Sequence, residues 1–132
     1  MRTVDFTMGE TELHLCYNGA AMFDLWDIFG QEKRILEHIE PNTKKAFNAT
    51  CIMLHKLAEQ GELVRRYHGH TPQDVPNIKE LMAVLAPADV LAAKRAVAAA
   101  IAAGMKMEAQ IRRSETDLGL LELEMQKKAA AG

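Results

Sequence analysis

The residues with the clearest chemical potential in this sequence are two cysteines and a group of histidines. Cys51 and His55 lie four residues apart, and His68 and His70 follow in a stretch with the composition of a loop. Thiolates and imidazoles can bind zinc when a fold brings three or four of them together. The sequence has none of the Cys-x-x-Cys pairs typical of structural zinc sites. We therefore expect no metal and no cofactor, with Cys16 and Cys51 as reduced thiols in the core.

The acidic residues give a weaker indication of a catalytic site. Asp24 and Asp27 are three residues apart, and Glu122 and Glu124 are two apart, but nothing in the sequence directs either pair to a cleft. The eight glycines are scattered and form no phosphate-binding loop. We therefore predict that the chain has no catalytic residues and is not an enzyme.

The composition is that of an ordinary globular chain. Its 132 residues are 48% hydrophobic and 26% charged, which predicts one domain with a sizeable core. Sixteen Lys and Arg against eighteen Asp and Glu leave a net charge of −2, which disfavours nucleic acid as a partner. No secretory signal and no apolar run of about 18 residues is visible, so we expect a cytoplasmic protein without a membrane segment.

Hydrophobic periodicity predicts an α+β fold, mostly α, with an N-terminal β-hairpin packed on a small bundle of helices. The hairpin covers about residues 2–17, where Val4, Phe6 and Met8 alternate with polar residues before a three-residue or bulged turn at 9–11. The predicted helices cover about 19–29, 31–39, 43–67, 78–85 and 87–103. Residues 1–107 then form a single domain, and 108–132 a flexible tail with a short amphipathic helix.

The helix predicted at 19–29 carries the strongest hydrophobic stripe, including the single Trp of the chain. Met22, Phe23, Trp26 and Phe29 recur at helical spacing. This stripe either lies in the core, or one edge of it binds another chain, and the pattern leaves both interpretations open. The candidate partner-binding residues are Phe23, Trp26 and Phe29, with Leu118, Leu121 and Met125 in the tail.

A different class of function rests on the basic residues. Arg65 and Arg66 are adjacent, as are Arg112 and Arg113. Such pairs can contact phosphate groups, so the alternative hypothesis is a small regulatory or nucleic-acid-associated binding protein.

The order of the elements resembles that of a known family. Residues 13–18 (LHLCYN) run directly into the helix that ends in the sequence FDLWDIFG at 23–30, a central helix follows, and two helices are separated by Pro87. Over residues 2–107 this order resembles the tail assembly chaperones of long-tailed bacteriophages and prophages. The resemblance implies that the chain binds the tape-measure protein in the host cytoplasm, keeps it soluble and helps tail-tube proteins to assemble. We expect such a protein to form homo-oligomers and to act through multivalent apolar contacts.

Overall fold

The computed structural model describes residues 3–106, which form an N-terminal β-hairpin and a group of helices. Its fold class is therefore α+β and mostly α, which confirms the sequence prediction. One cluster of buried side chains draws on both strands and all of the helices described below. The elements are β1 (Val4–Met8), β2 (Thr11–Leu15), α1 (Gly19–Phe29), α2 (Lys44–Tyr67), α3 (Ile78–Val84) and α4 (Val90–Gly104).

The hairpin has a tighter turn than the sequence predicted. Met8 pairs with Thr11 in the antiparallel register, so the loop contains two residues instead of three. Gly9 occupies the first loop position with a φ of 57°, a conformation that glycine adopts without steric cost. The apolar face of the hairpin is buried and consists of Phe6, Met8, Leu13 and Leu15.

The central helix α2 contacts the hairpin and each of the other helices. Thr43 caps its N-terminus by accepting a hydrogen bond from the Ala46 N–H at 3.1 Å. The prediction of a long helix at 43–67 is confirmed. Cys51, Met53, Leu54 and Leu57 are all fully buried, as expected for a helix with neighbours on several sides.

The strand β2 lies unusually close to α2 at Gly61. A Cβ atom at this position would overlap the backbone carbonyl of His14. In the same region the backbone N–H of Cys16 donates to the carbonyl of Leu57 at 3.0 Å. The glycine therefore does not end the helix, which continues to Tyr67, but allows the hairpin to lie directly on it.

The helix predicted at 31–39 is wrong in extent. The structure has only a 3₁₀ turn at Ile35–His38, held by hydrogen bonds such as that from the Ile39 N–H to the Leu36 carbonyl. Gly30 ends α1 with a φ of 77°, and Pro41 follows soon after. Pro41 lacks a backbone N–H and disfavours the α conformation of the residue before it, so a helix here could not continue past this point.

The last two helices begin close to their predicted starts. Asn77 and Glu80 form a reciprocal capping box at the start of α3. Pro87–Asp89 is a 3₁₀ turn, so α4 itself begins at Val90. The buried side of α4 consists of Ala93, Val97, Ala100 and Ile101, whereas Leu91 is 57% exposed.

Two further sequence predictions concern membrane segments and the C-terminal tail. Within residues 3–106 no helix combines the length and the apolar character needed to cross a membrane. The tail predicted at 108–132 lies outside the described residues, as does the end of the domain predicted at 107.

Replacing Gly61 with alanine tests the close contact between β2 and α2. Alanine favours a helix, but its Cβ would overlap the His14 carbonyl, so we expect the free energy of unfolding to fall by about 1–3 kcal/mol. Urea unfolding followed by circular dichroism measures this loss. Gly19→Ala is the matched control, because no atom lies within 4 Å of the added carbon. Equal stability of the two variants would contradict the close contact.

Candidate functional site

The position of α1 is fixed by its first residues. Asn18 caps the helix by accepting a hydrogen bond from the Ala21 N–H at 2.9 Å. The side-chain amide of Asn18 also donates to Gln60 Oε1 on α2 at 3.0 Å. Because both bonds use one side chain, the start of α1 and its rotation relative to α2 are set together.

The buried stripe of α1 is not the aromatic stripe that the sequence suggested for the core. Ala21 and Leu25 are fully buried, and Met22 and Phe29 are partly buried against the core. At about 100° per residue, position 23 lies on the opposite side of the helix from position 21. The smaller side chains therefore face α2, and Phe23 faces outwards.

Phe23 and Trp26 form an exposed aromatic patch on α1. The ring of Phe23 is 59% exposed, and Trp26 is partly exposed beside it. The two rings meet edge to face, with centroids 5.3 Å apart and an angle of 90°. Such a pair presents a rigid apolar surface that loses little side-chain entropy on binding.

The aromatic patch has an acidic border. Asp27 is exposed four residues after Phe23, and Asp24 lies between the two rings in sequence. The helix α1 contains no Lys or Arg. A partner that covers this patch is therefore favoured when Lys or Arg residues flank its apolar stripe.

The other predicted partner-binding residues are placed differently. Phe29 packs against the core and against the ring of His38, with centroids 5.0 Å apart, so it is not part of the exposed patch. Leu118, Leu121 and Met125 lie outside the described residues.

The cysteine and the histidines considered for zinc do not form one cluster. Burial raises the pKa of the Cys51 thiol to about 11, which keeps it protonated at neutral pH. His55 Nδ1 donates to the Pro76 carbonyl at 2.9 Å, and its Nε2 lies 3.0 Å from Glu59 Oε1. His68 and His70 are exposed in the following loop.

Sequence reasoning missed a different group of polar side chains, on the outer face of the hairpin. Asp5 and His14 are cross-strand partners, and Glu12 lies on the same face one pair further along. His14 Nδ1 donates to Asp5 Oδ1 at 2.7 Å. The alternation of residues indicated a polar face, but the juxtaposition depends on the two-residue turn. We assign no ligand to this group, because it is largely exposed and its shortest contact already pairs two of its members.

Arg65 and Arg66, the basis of the nucleic-acid hypothesis, share one buried carboxylate. They donate to the Glu62 oxygens at 2.8 and 3.1 Å, respectively. Glu62 also accepts the Gln73 N–H at 2.7 Å, which ties the end of α2 to the following loop. Burial raises the pKa of Glu62, but the hydrogen bonds from Gln73 and the two arginines outweigh it and lower the pKa overall. Arg112 and Arg113 lie outside the described residues.

Replacing Glu62 with glutamine tests this buried cluster. The carboxylate has a lowered pKa, so its stabilising effect is complete above its usual value of 4.5 and is lost as the pH falls through the folded-state value. We expect Glu62→Gln to lower the free energy of unfolding by about 1–3 kcal/mol at pH 7. The difference from the unmodified protein should shrink below pH 4.5. Urea unfolding across this pH range measures the difference in stability. Glu10→Gln, at an exposed position, is the control. A difference that does not change with pH would refute the role of the charge.

The chain was compared with protein-family models, with curated proteins and with solved structures, and none of them matches. The function therefore has to be inferred from the geometry of the molecule. The aromatic patch on α1 is the feature of the described residues that bears most directly on it.

Proposed function

We propose that this chain is a tail assembly chaperone, which binds the tape-measure protein of a long-tailed phage in the host cytoplasm. The observation that carries the proposal is the exposed Phe23–Trp26 pair on α1. The resemblance in the order of hairpin and helices supports the choice of family. The chain acts as a binding protein in this proposal, and no catalytic step is part of it.

The aromatic patch suits a contact that is repeated many times. Covering one exposed aromatic side chain contributes about 1.5–3 kcal/mol, which is too little for a stable complex of one copy. A tape-measure protein is long and helical, so many copies can bind along it and also touch each other. Linked weak contacts of this kind reach high overall affinity without any strong single contact.

The surface also favours a particular kind of helix. An amphipathic helix can place an apolar residue between or beside the two rings, as in other helix-to-groove contacts. The carboxylates of Asp24 and Asp27 favour a stripe bordered by Lys or Arg. We therefore propose that the chaperone selects apolar stripes of the tape-measure protein that are bordered by Lys or Arg. Homo-oligomers of the chaperone would place several aromatic patches side by side, so that they can bind the tape-measure protein and the tail-tube protein.

Replacing Phe23 with alanine tests this function. The binding partner is a set of purified helical fragments of the tape-measure protein encoded near this chain, and calorimetry measures the affinity. Removing a central aromatic side chain should weaken binding by about tenfold or more, because contacts of this kind contribute over 1 kcal/mol. Because Phe23 is exposed, the fold should remain intact.

Leu63→Ala is the matched control for this experiment. Leu63 is 55% exposed on α2 and therefore resembles Phe23 in accessibility but lies on a different helix. We expect this variant to bind the fragments as well as the unmodified protein does. The proposal fails if the unmodified chain binds none of the fragments, or if both variants bind them equally well.

A further inference from the structure

A second apolar surface of the molecule is a groove beside the first turns of α4. Two adjoining cavities of about 620 and 280 Å³ lie between this helix and the segment that leads into α2. Both are bordered by Leu91 and Lys94, so they adjoin along these two side chains, and we refer to them together as the groove. The apolar side chains that line it are Leu36, Ile39, Phe47, Val90, Leu91 and Ala98.

The edge of this groove is basic. Lys44, Lys94 and Arg95 border it, whereas Glu40 is the one carboxylate among its lining residues. Lys94 Nζ donates to the Pro41 carbonyl at 3.0 Å, which positions the ammonium group without neutralising it. Within residues 3–106, none of the three basic side chains forms an ion pair. The groove therefore combines an apolar floor with uncompensated positive charge.

The chain itself contains a segment with the complementary chemistry. Residues 115–125 (ETDLGLLELEM) hold four carboxylates and no Lys or Arg. They also hold four leucines and one methionine. A segment of this composition can place apolar side chains on the groove floor while its carboxylates meet the basic edge.

The chain between the end of α4 and residue 115 is long enough for this segment to reach the groove. Leu91 and Gly104 are separated by 13 residues of α4, a distance of about 20 Å along the helix axis. The eight residues 107–114 span up to about 27 Å when extended. We infer that residues 115–125 turn back along α4 and dock into the groove of the same chain.

This contact does not depend on the identity of any partner protein. It gives Leu118, Leu121 and Met125 an internal binding site instead of a second contact with the tape-measure protein. It also covers Leu91, which is the most exposed of the large apolar side chains that line the groove.

Carbodiimide cross-linking of the full chain tests the inference, because the reagent joins a lysine directly to a carboxylate within contact distance. Mass spectrometry then identifies the linked pairs. We expect links from Lys44 and Lys94 to the carboxylates of 115–125, in the monomer and independent of protein concentration. Lys79, which is exposed and lines neither cavity, should give few such links. Links that form only between two copies, or that spread evenly over all of these lysines, would overturn it.

A triple variant separates docking from chance collisions of a tethered segment. L118S/L121S/M125S retains every carboxylate and lysine but removes three of the five large apolar side chains of the segment. We expect the links at Lys44 and Lys94 to fall to the level seen at Lys79. The matched control A129S/A130S/A131S changes three neighbouring residues outside the segment and should leave the links unchanged. Undiminished links in the leucine variant would refute docking in the groove.

Discussion

The close contact between β2 and α2 at Gly61 is the constraint on which the positions of the other elements depend. It lets the hairpin lie directly on the central helix, where the Cys16 N–H reaches the Leu57 carbonyl. The chain then enters α1 at Asn18, whose side chain bonds to Gln60 on the same face of α2. Gly104 allows α4 to approach the backbone of Tyr17, two residues after the end of β2, in the same way. Two glycines therefore set the distances of the hairpin from two helices.

The rotation of α1 follows from this arrangement and decides which of its apolar residues remain outside. Ala21 and Leu25 are fully buried on the inner side of α1, which packs against α2. Phe23 is left in solvent, although covering it would stabilise the molecule. Exposed apolar patches with large aromatic side chains are a common feature of protein-binding surfaces. The packing of α1 therefore leaves exposed the aromatic patch on which the proposed role as a chaperone rests.

The sequence predicted well those features that short-range interactions determine. The alternation in the hairpin and the long pattern of α2 are both local signals, and the structure has each of them. It predicted poorly the features that depend on distant neighbours. The side of α1 that is buried and the exposure of Leu91 depend on how the helices pack against one another, which periodicity does not reveal. The groove edge joins Lys44 and Lys94, which are 50 residues apart in the sequence.

The central claim is that a helical partner covers the outer face of α1, and the single Trp of the chain allows a direct measurement. Acrylamide quenching of Trp26 fluorescence reports the accessibility of its ring in solution. With a saturating, tryptophan-free fragment of the tape-measure protein, the account predicts that quenching falls strongly and that the emission shifts to shorter wavelength. If the fragment binds while quenching and emission stay unchanged, the partner lies elsewhere and the account is contradicted.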